Sequence, residues 1–394
     1  MSFIKIICHE LKAVMSNPAI TLTVFGGVFL YSFLYPLPYA KQIPREQKVI
    51  VVNLDNSQLS RQLEQMVDAT PQVKLVRSAY SLEEAKRIFI EEKLAGILVI
   101  PENFYRDLML GKRPTLSYAG DASYFLVYGT VMNGLMGAGG SISAAVRVKK
   151  MVASGQPLPL AREQHSPIHL NVRPVFNTGG GYINYVIPAI FILILHHTLI
   201  IGAGILGGTQ VEASRAGISG YWTEAAPVKL LLARTLIFVG IYWLLCMYYL
   251  GFCFELYSVP RNAGFWQLNL LLLPFLLAAS QLGIFLGLIL PRRELTTMLL
   301  LLSSMPIAFG AGFIWPLELI PPPIYAVIQF IPIVPAIKMF LTFNQMGADF
   351  VSLRPYINQL WLCMAIYGVL GFITIYLKRR YGTVSPIKTH GRTA

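Results

Sequence analysis

Charge is scarce in this sequence. Only 13% of the 394 residues are Asp, Glu, Lys or Arg, about half the share of a soluble domain, so much of the chain is not built to face water. Cysteine is scarcer still: Cys8, Cys246, Cys253 and Cys363 are the only four. No two of them form a CxxC pair and none falls within 41–173. That excludes a disulfide framework and a zinc motif. Catalytic patterns are missing too. No glycine is followed by Lys and then Ser or Thr, and "GKR" at 111–113 fails the P-loop pattern. HExxH, GxSxG and paired-carboxylate patterns are also missing. His165 and His169 have metal-like spacing, but Pro167 stands between them and the region reads as loop. No cofactor is expected on this chain.

Long oily runs fill the space that charge leaves. Charge-free stretches cover 13–40, 174–211, 235–254, 262–291, 295–317, 319–337 and 355–377. A helix needs about 20 residues to cross the hydrocarbon, and a charge at its centre costs about 2.5–3.5 kcal/mol. Such runs read as a polytopic α-helical membrane protein. The N-terminal run is long and "LPYAK" at 37–41 lacks a small-x-small cleavage pattern, so 19–37 reads as a retained helix. Further membrane helices are expected near 182–206, 231–253, 266–290, 295–315 and 357–377. The run 319–337 carries Pro321, Pro322, Pro323, Pro332 and Pro335. A lipid-facing helix could not re-satisfy five forfeited donors, so 316–340 is expected to dip in from the outer surface and return.

The net charge of +13 is not a nucleic-acid signature, because Lys and Arg sit where oily runs end. Lys5, Lys12, Arg215, Lys229, Arg292, Arg293 and "KRR" at 378–380 all fall on one side of a six-span topology. By the positive-inside rule that side is cytoplasmic, with both termini and a basic tail, 378–394. Residues 1–18 add an amphipathic helix along the cytoplasmic surface. Its apolar face is expected to be Phe3, Ile4, Ile7, Leu11, Val14 and Met15, opposite Lys5, His9, Lys12 and Ser16.

Residues 41–173 read differently, with 17 Lys/Arg and 12 Asp/Glu. "KVIVVNL" (48–54), "QVKLVRS" (72–78), "AGILVI" (95–100) and "PTLSYAG" (114–120) look like strands. They alternate with helical segments at 56–69, 81–93 and 101–110, the last starting at Pro101. Ser81 with Glu84 is a capping-box pattern. This is a soluble α/β domain inserted after the first span. The uncharged stretch 122–146 holds too many Gly and Ser for a bilayer helix, and is expected to pack on that domain.

The order of parts resembles an ABC exporter permease of the type-2 family, in the branch with a large extracytoplasmic domain. "KVIVVNLDNSQLS", the stretch 81–123 with its strand ending in Ile-Pro, and the proline-rich stretch 312–350 carry the likeness across nearly the whole chain. The polar segment "VEASRAGISGYWTEAAPVKLLLARTL" (211–236) is similar in place to the family's loop between the second and third helices. Glu212, Gly217 and "APVK" (226–229) match it. The resemblance implies a coupling loop, 207–230, that docks on a separate ABC ATPase subunit holding ATP and Mg. Glu212, Arg215, Gly217, Trp222, Glu224, Pro227 and Lys229 are the candidate contacts. A second permease copy, a related permease, a periplasmic adaptor protein and membrane lipids are further partners to expect, in a bacterial inner membrane. His196, His197 and Glu318, ionisable groups within or beside the spans, are candidates for the translocation pathway. The alternative is a membrane-anchored envelope scaffold or receptor that uses 41–173 to bind a partner. An intramembrane enzyme around His196 and His197 is disfavoured, because no second catalytic group accompanies them.

Overall fold

The computed structural model describes residues 1–39, 44–164, 175–177 and 181–381. His165, His169 and the tail beyond 381 lie outside these. The chain divides into two compact units, one of Met1–Ala40 with Pro174–Ala394 and one of Lys41–Arg173.

The chain opens with α1 (Phe3–Met15), capped by Ser2. The bundle buries only part of the expected apolar face, together with Glu10. Ile6, Glu10 and Val14 are fully buried, whereas Ile4, Leu11 and Met15 are exposed. The reason is that two apolar environments compete for a helix at a membrane surface. The bundle takes one face and the larger hydrophobic residues point away from it. Asn17 then accepts the Ala19 and Ile20 amides at 3.1 and 3.4 Å. With Pro18 in the first turn, this cap starts α2 (Pro18–Tyr39) at once.

The inserted unit runs β1 (Gln47–Asn53), α3 (Gln58–Asp68), β2 (Val73–Ala79), α4 (Leu82–Glu91), β3 (Gly96–Ile100), α5 (Phe104–Met109), β4 (Ser117–Gly120), α6 (Phe125–Ala153) and α7 (Leu158–Gln164). The sheet order is β2-β1-β3-β4, parallel except for β4, which is antiparallel to β3. Helices cover both faces, so β1 buries Val49 and Val51 on one side and Ile50 and Val52 on the other. That explains its unbroken β-branched sequence. α6 lays Val131, Leu135, Ala138 and Ile142 into the first of these cores.

Helix α5 does not begin at Pro101, as the sequence suggested. The Asp55 carboxylate accepts the Tyr105 amide at 3.3 Å, and this long-range cap sets the start at Phe104. The Asn-x-Asp-x-Ser motif therefore has three local tasks. Asn53 ties β1 to α3 through Ser60 and Glu64, Asp55 caps α5, and Ser57 caps α3.

The membrane unit continues with α8 (Tyr182–Arg215), a short α9 (Tyr221–Glu224), α10 (Pro227–Leu256), α11 (Phe265–Ile289), α12 (Glu294–Gly310), α13 (Pro322–Ile328), α14 (Ile333–Gln345) and α15 (Arg354–Tyr381). Five helices, α2, α8, α10, α11 and α15, are each long and apolar enough to cross a membrane. The helices α13 and α14 meet at 91°. Hydrogen bonds place their outer ends on one side. Asn262, in the α10–α11 turn, donates to the Gln345 carbonyl at 3.2 Å, and Tyr185 near the start of α8 donates to the Phe313 carbonyl. The bent pair therefore enters and leaves at the same end. Helix α12 is shorter than these five: its 17 apolar residues reach about 25 Å, the short limit for a span.

Helix α8 is the core of this unit. The Cβ of an alanine at Gly287 on α11 would lie 2.4 Å from the Gly204 carbonyl oxygen of α8. These two backbones touch, as small residues allow between membrane helices.

A buried clamp beneath the interhelical turn

The polar stretch that follows α8 is shorter than the expected loop 207–230. Helix α8 carries on through Gln210, Glu212 and Ser214 to Arg215. It stops there because Gly217 adopts φ +79°, the left-handed region that costs a glycine nothing. The Gly217 amide bonds the Ser214 carbonyl at 3.1 Å and the Ile218 amide reaches Ala213 at 2.9 Å, which is a Schellman stop. The single turn α9 follows, and Pro227 occupies the first turn of α10, where its missing N–H is harmless. The segment between α8 and α10 is thus a stop, one helical turn and a restart.

Beneath this turn lies a group of polar side chains that the sequence reading did not anticipate. Arg234 of α10 donates from Nε and Nη2 to the two carboxylate oxygens of Glu10 on α1, at 2.8 and 2.7 Å. Arg234 is 1% exposed and Glu10 0%. Gln210 of α8 accepts from Arg234 and donates to the Tyr221 hydroxyl at 2.8 Å. Burial, and then the Glu10 carboxylate, push the Tyr221 hydroxyl well above the ordinary phenol range. Gln210 Nε2 also lies 3.3 Å from Glu10 Oε1, so Gln210 links the Tyr221 hydroxyl to the buried pair. Four elements, α1, α8, α9 and α10, therefore meet in one hydrogen-bonded network. Ile6 reinforces it by packing with Ala225, Leu230 and Ala233. No spacing rule links Glu10 to Arg234. A lone carboxylate on an otherwise basic, apolar helix was the available signal.

The expected contact residues sort into inward and outward sets. Glu212 accepts the Arg293 amide at 2.7 Å and pairs with its guanidinium at 3.7 Å. Arg215 donates to the Pro291 carbonyl at 2.6 Å, and the Trp222 indole to Ser214 Oγ at 2.9 Å. These three hold the turn to the bundle. Glu224 and Lys229 face outward, joined by Ile218, which is 58% exposed.

The histidines are not part of this region. His196 is fully buried against Phe275, and neither ring nitrogen has a hydrogen-bond partner among the described residues. His197 turns away and bonds the Leu193 carbonyl at 3.0 Å. Glu318 is exposed at the opposite end, within electrostatic reach of Lys338. Among the described residues no His, Cys, Asp and Glu group could hold a metal ion.

Comparison with known proteins agrees with the architecture. A search of curated proteins returned no match. A family model described as ABC-2 family transporter protein matches residues 19–377, spanning α2 through most of α15. A multi-pass helical bundle with an inserted sheet and a turn anchored under the second crossing is what that match covers, and the chain belongs to the ABC-2 family of transporter membrane proteins.

Proposed function

We propose that this permease subunit serves an ATP-driven exporter that moves a lipid, drug or other amphiphile outward. Energy comes from a separate ABC ATPase subunit, which binds ATP and Mg, and this chain has no enzymatic step of its own. Two copies, or one copy with a related permease, enclose the pathway. The end that collects Lys5, Lys12, Arg215, Arg293 and Lys378 faces the cytoplasm by the positive-inside rule. The membrane is then the bacterial inner membrane, with the Lys41–Arg173 unit on its outer side, where an adaptor protein would meet it. His196, buried without a partner in α8, and Glu318 at the outer end remain candidates for contact with substrate on its way out.

The observation that carries this reading is the exposed turn fixed to a buried network. A force on α9 reaches α1, α8 and α10 through the hydrogen-bonded side chains of Tyr221, Gln210, Glu10 and Arg234, which burial holds in place. Ile218, Glu224 and Lys229 form its outer surface, where an ATPase groove would sit. Replacing Glu224 by Arg and Ile218 by Asp should abolish recovery of the ATPase subunit or uncouple its turnover from transport. A like charge at a close interface costs several kcal/mol, while permease levels should hold because both sites already face water. Glu212→Arg does not test docking, since it breaks the internal pair with Arg293. Undiminished ATPase recovery and transport in the Glu224→Arg, Ile218→Asp double variant would remove the turn from the coupling surface.

A further inference from the structure

A cavity of about 350 Å³ opens beside the clamp, at the lower end of the roughly 300–1,000 Å³ of small-molecule sites. The ends of α8, α11 and α15 and the start of α10 surround it, and the turn at Gly217–Thr223 closes one side. Leu230, Leu288 and Ile375 make its wall apolar, while Arg234, Lys378 and Arg379 give it charge.

The charges do not balance. Glu10 is already engaged by Nε and Nη2 of Arg234, and Nη1 of that buried guanidinium has no hydrogen bond among the described residues. Lys378 donates to the Leu288 carbonyl. Arg379 donates to the Ala225 carbonyl at 2.9 Å and the Glu224 carbonyl at 3.4 Å. These partners are neutral dipoles. Among the described residues no carboxylate comes within ion-pair distance of Lys378 or Arg379, and Arg215 adds repulsion at Lys378. Glu212, the nearest acid along α8, is committed to Arg293. Arg234 is buried and Lys378 half-buried beside these apolar walls, with Arg379 exposed at the rim, and cations so placed carry a cost that a bound anion relieves.

The walls decide what kind of anion. Phe372 and Tyr376 precede Arg379 on the same side of α15 as Ile375, at helical spacing, and they are 37% and 45% exposed. A ligand whose charged head sits at Lys378 and Arg379 therefore finds an apolar strip leading along a membrane-crossing helix. Basic pockets between helix ends suit anionic headgroups. We propose that this cavity binds the phosphate headgroup of an anionic phospholipid from the adjacent leaflet. Lys378, Arg379 and Nη1 of Arg234 hold the phosphate, and the apolar wall takes the first carbons of the chains. The assignment rests on α15 crossing the membrane, and since the turn that closes the cavity also carries Ile218, binding is measured on the permease without its ATPase.

The test uses the full-length permease alone, delipidated in a neutral detergent and titrated with dioctanoyl phosphatidylglycerol. Binding is read by native mass spectrometry and by the shift in thermal unfolding. Saturable binding of one lipid per chain is expected, at least about tenfold tighter than dioctanoyl phosphatidylcholine or inorganic phosphate. Lys378→Gln and Arg379→Gln keep a donor for the backbone carbonyls and remove only the charge. Each should weaken binding about fivefold and the pair about thirtyfold, while Lys378→Arg should retain it. Equal affinity for inorganic phosphate would make this a free-anion site and overturn the lipid assignment. Unchanged lipid affinity in the double Gln variant would overturn it too. If that variant instead lost the ATPase subunit, the cations would belong to the protein interface.

Discussion

Two ion pairs of nearly equal length stand at opposite ends of the membrane unit, and they are not equivalent. Glu10 and Arg234 approach to 2.7 Å with side chains 1% and 2% exposed, whereas Glu255 and Arg261 approach to 2.8 Å with 79% and 40% exposed. The first pair joins helices 224 residues apart in sequence, and the second closes a local turn. Distance alone therefore says little. Water and salt screen the outer pair until it is worth about 0–1 kcal/mol. In the inner pair, desolvation offsets most of the attraction, so its presence adds little while its rupture is expensive.

The bent pair α13–α14 is stabilised by a third means, without charge. The 91° bend between α13 and α14 takes the Gln329 and Phe330 carbonyls away from the amides four residues on, and the Val334 amide bonds the Ile331 carbonyl instead. Helix α15 supplies the donors. Gln359 reaches the Gln329 carbonyl at 3.2 Å, and Cys363 and Tyr367 reach the Phe330 carbonyl at 3.3 and 2.9 Å. These three recur every four residues, so one helix face satisfies the break. Irregular backbone at membrane depth survives where protein covers it.

The contrast breaks most visibly at Glu10. Glu10→Gln leaves the Arg234 guanidinium buried without its counter-charge and should destabilise the membrane unit by about 3–5 kcal/mol. Unfolding titration of the purified protein measures this. Glu10→Leu with Arg234→Met should restore most of the stability, because apolar replacements of a buried pair are often neutral or better. ATPase coupling should stay impaired in that double variant, since Gln210, which holds Tyr221, loses both Glu10 and Arg234. Full coupling would mean that the network holds the fold and transmits nothing.

These features differ in how far the sequence reveals them. The crossings are legible because a missing charge over about 20 residues is a property of each segment alone. The inserted sheet is legible for the same reason, since strand and helix periods are local. Glu10 is not, because its partner is named by the fold and no period in α1 points to α10. The true end of α8 was hidden as well. Gln210, Glu212 and Ser214 look like a solvated loop, yet each bonds to a neighbour across or along the helix. Among the candidate residues, Glu212 and Trp222 carried the right polarity but face inward. Ile218 is not legible, because an apolar residue in a polar loop gives no local signal of exposure.

An intermediate effect is expected at the re-entrant break. Tyr367→Phe removes one neutral hydrogen bond and should cost about 0.6–1.7 kcal/mol, the range for polar contacts between membrane helices. Since Cys363 still reaches the same carbonyl, the lower part of that range is expected. Combining it with Cys363→Ala should cost more than the sum of the two, because the Phe330 carbonyl is then left unsatisfied. Simple additivity in a double-mutant cycle would show that the two donors do not share the carbonyl.

The smallest effect belongs to the outer ion pair. Glu255→Gln should change stability by no more than about 0.5 kcal/mol, because both partners already lie in water and hold each other through mobile side chains. Raising the salt from 0.05 to about 1 M shortens the screening length severalfold, and should erase what difference there is. The same salt step should leave the cost of Glu10→Gln almost untouched, since ions do not enter a site that excludes water. A salt-sensitive Glu10 together with a salt-insensitive Glu255 would reverse the assignment of buried and exposed pair. The two ends would then have to be distinguished by something other than access to solvent.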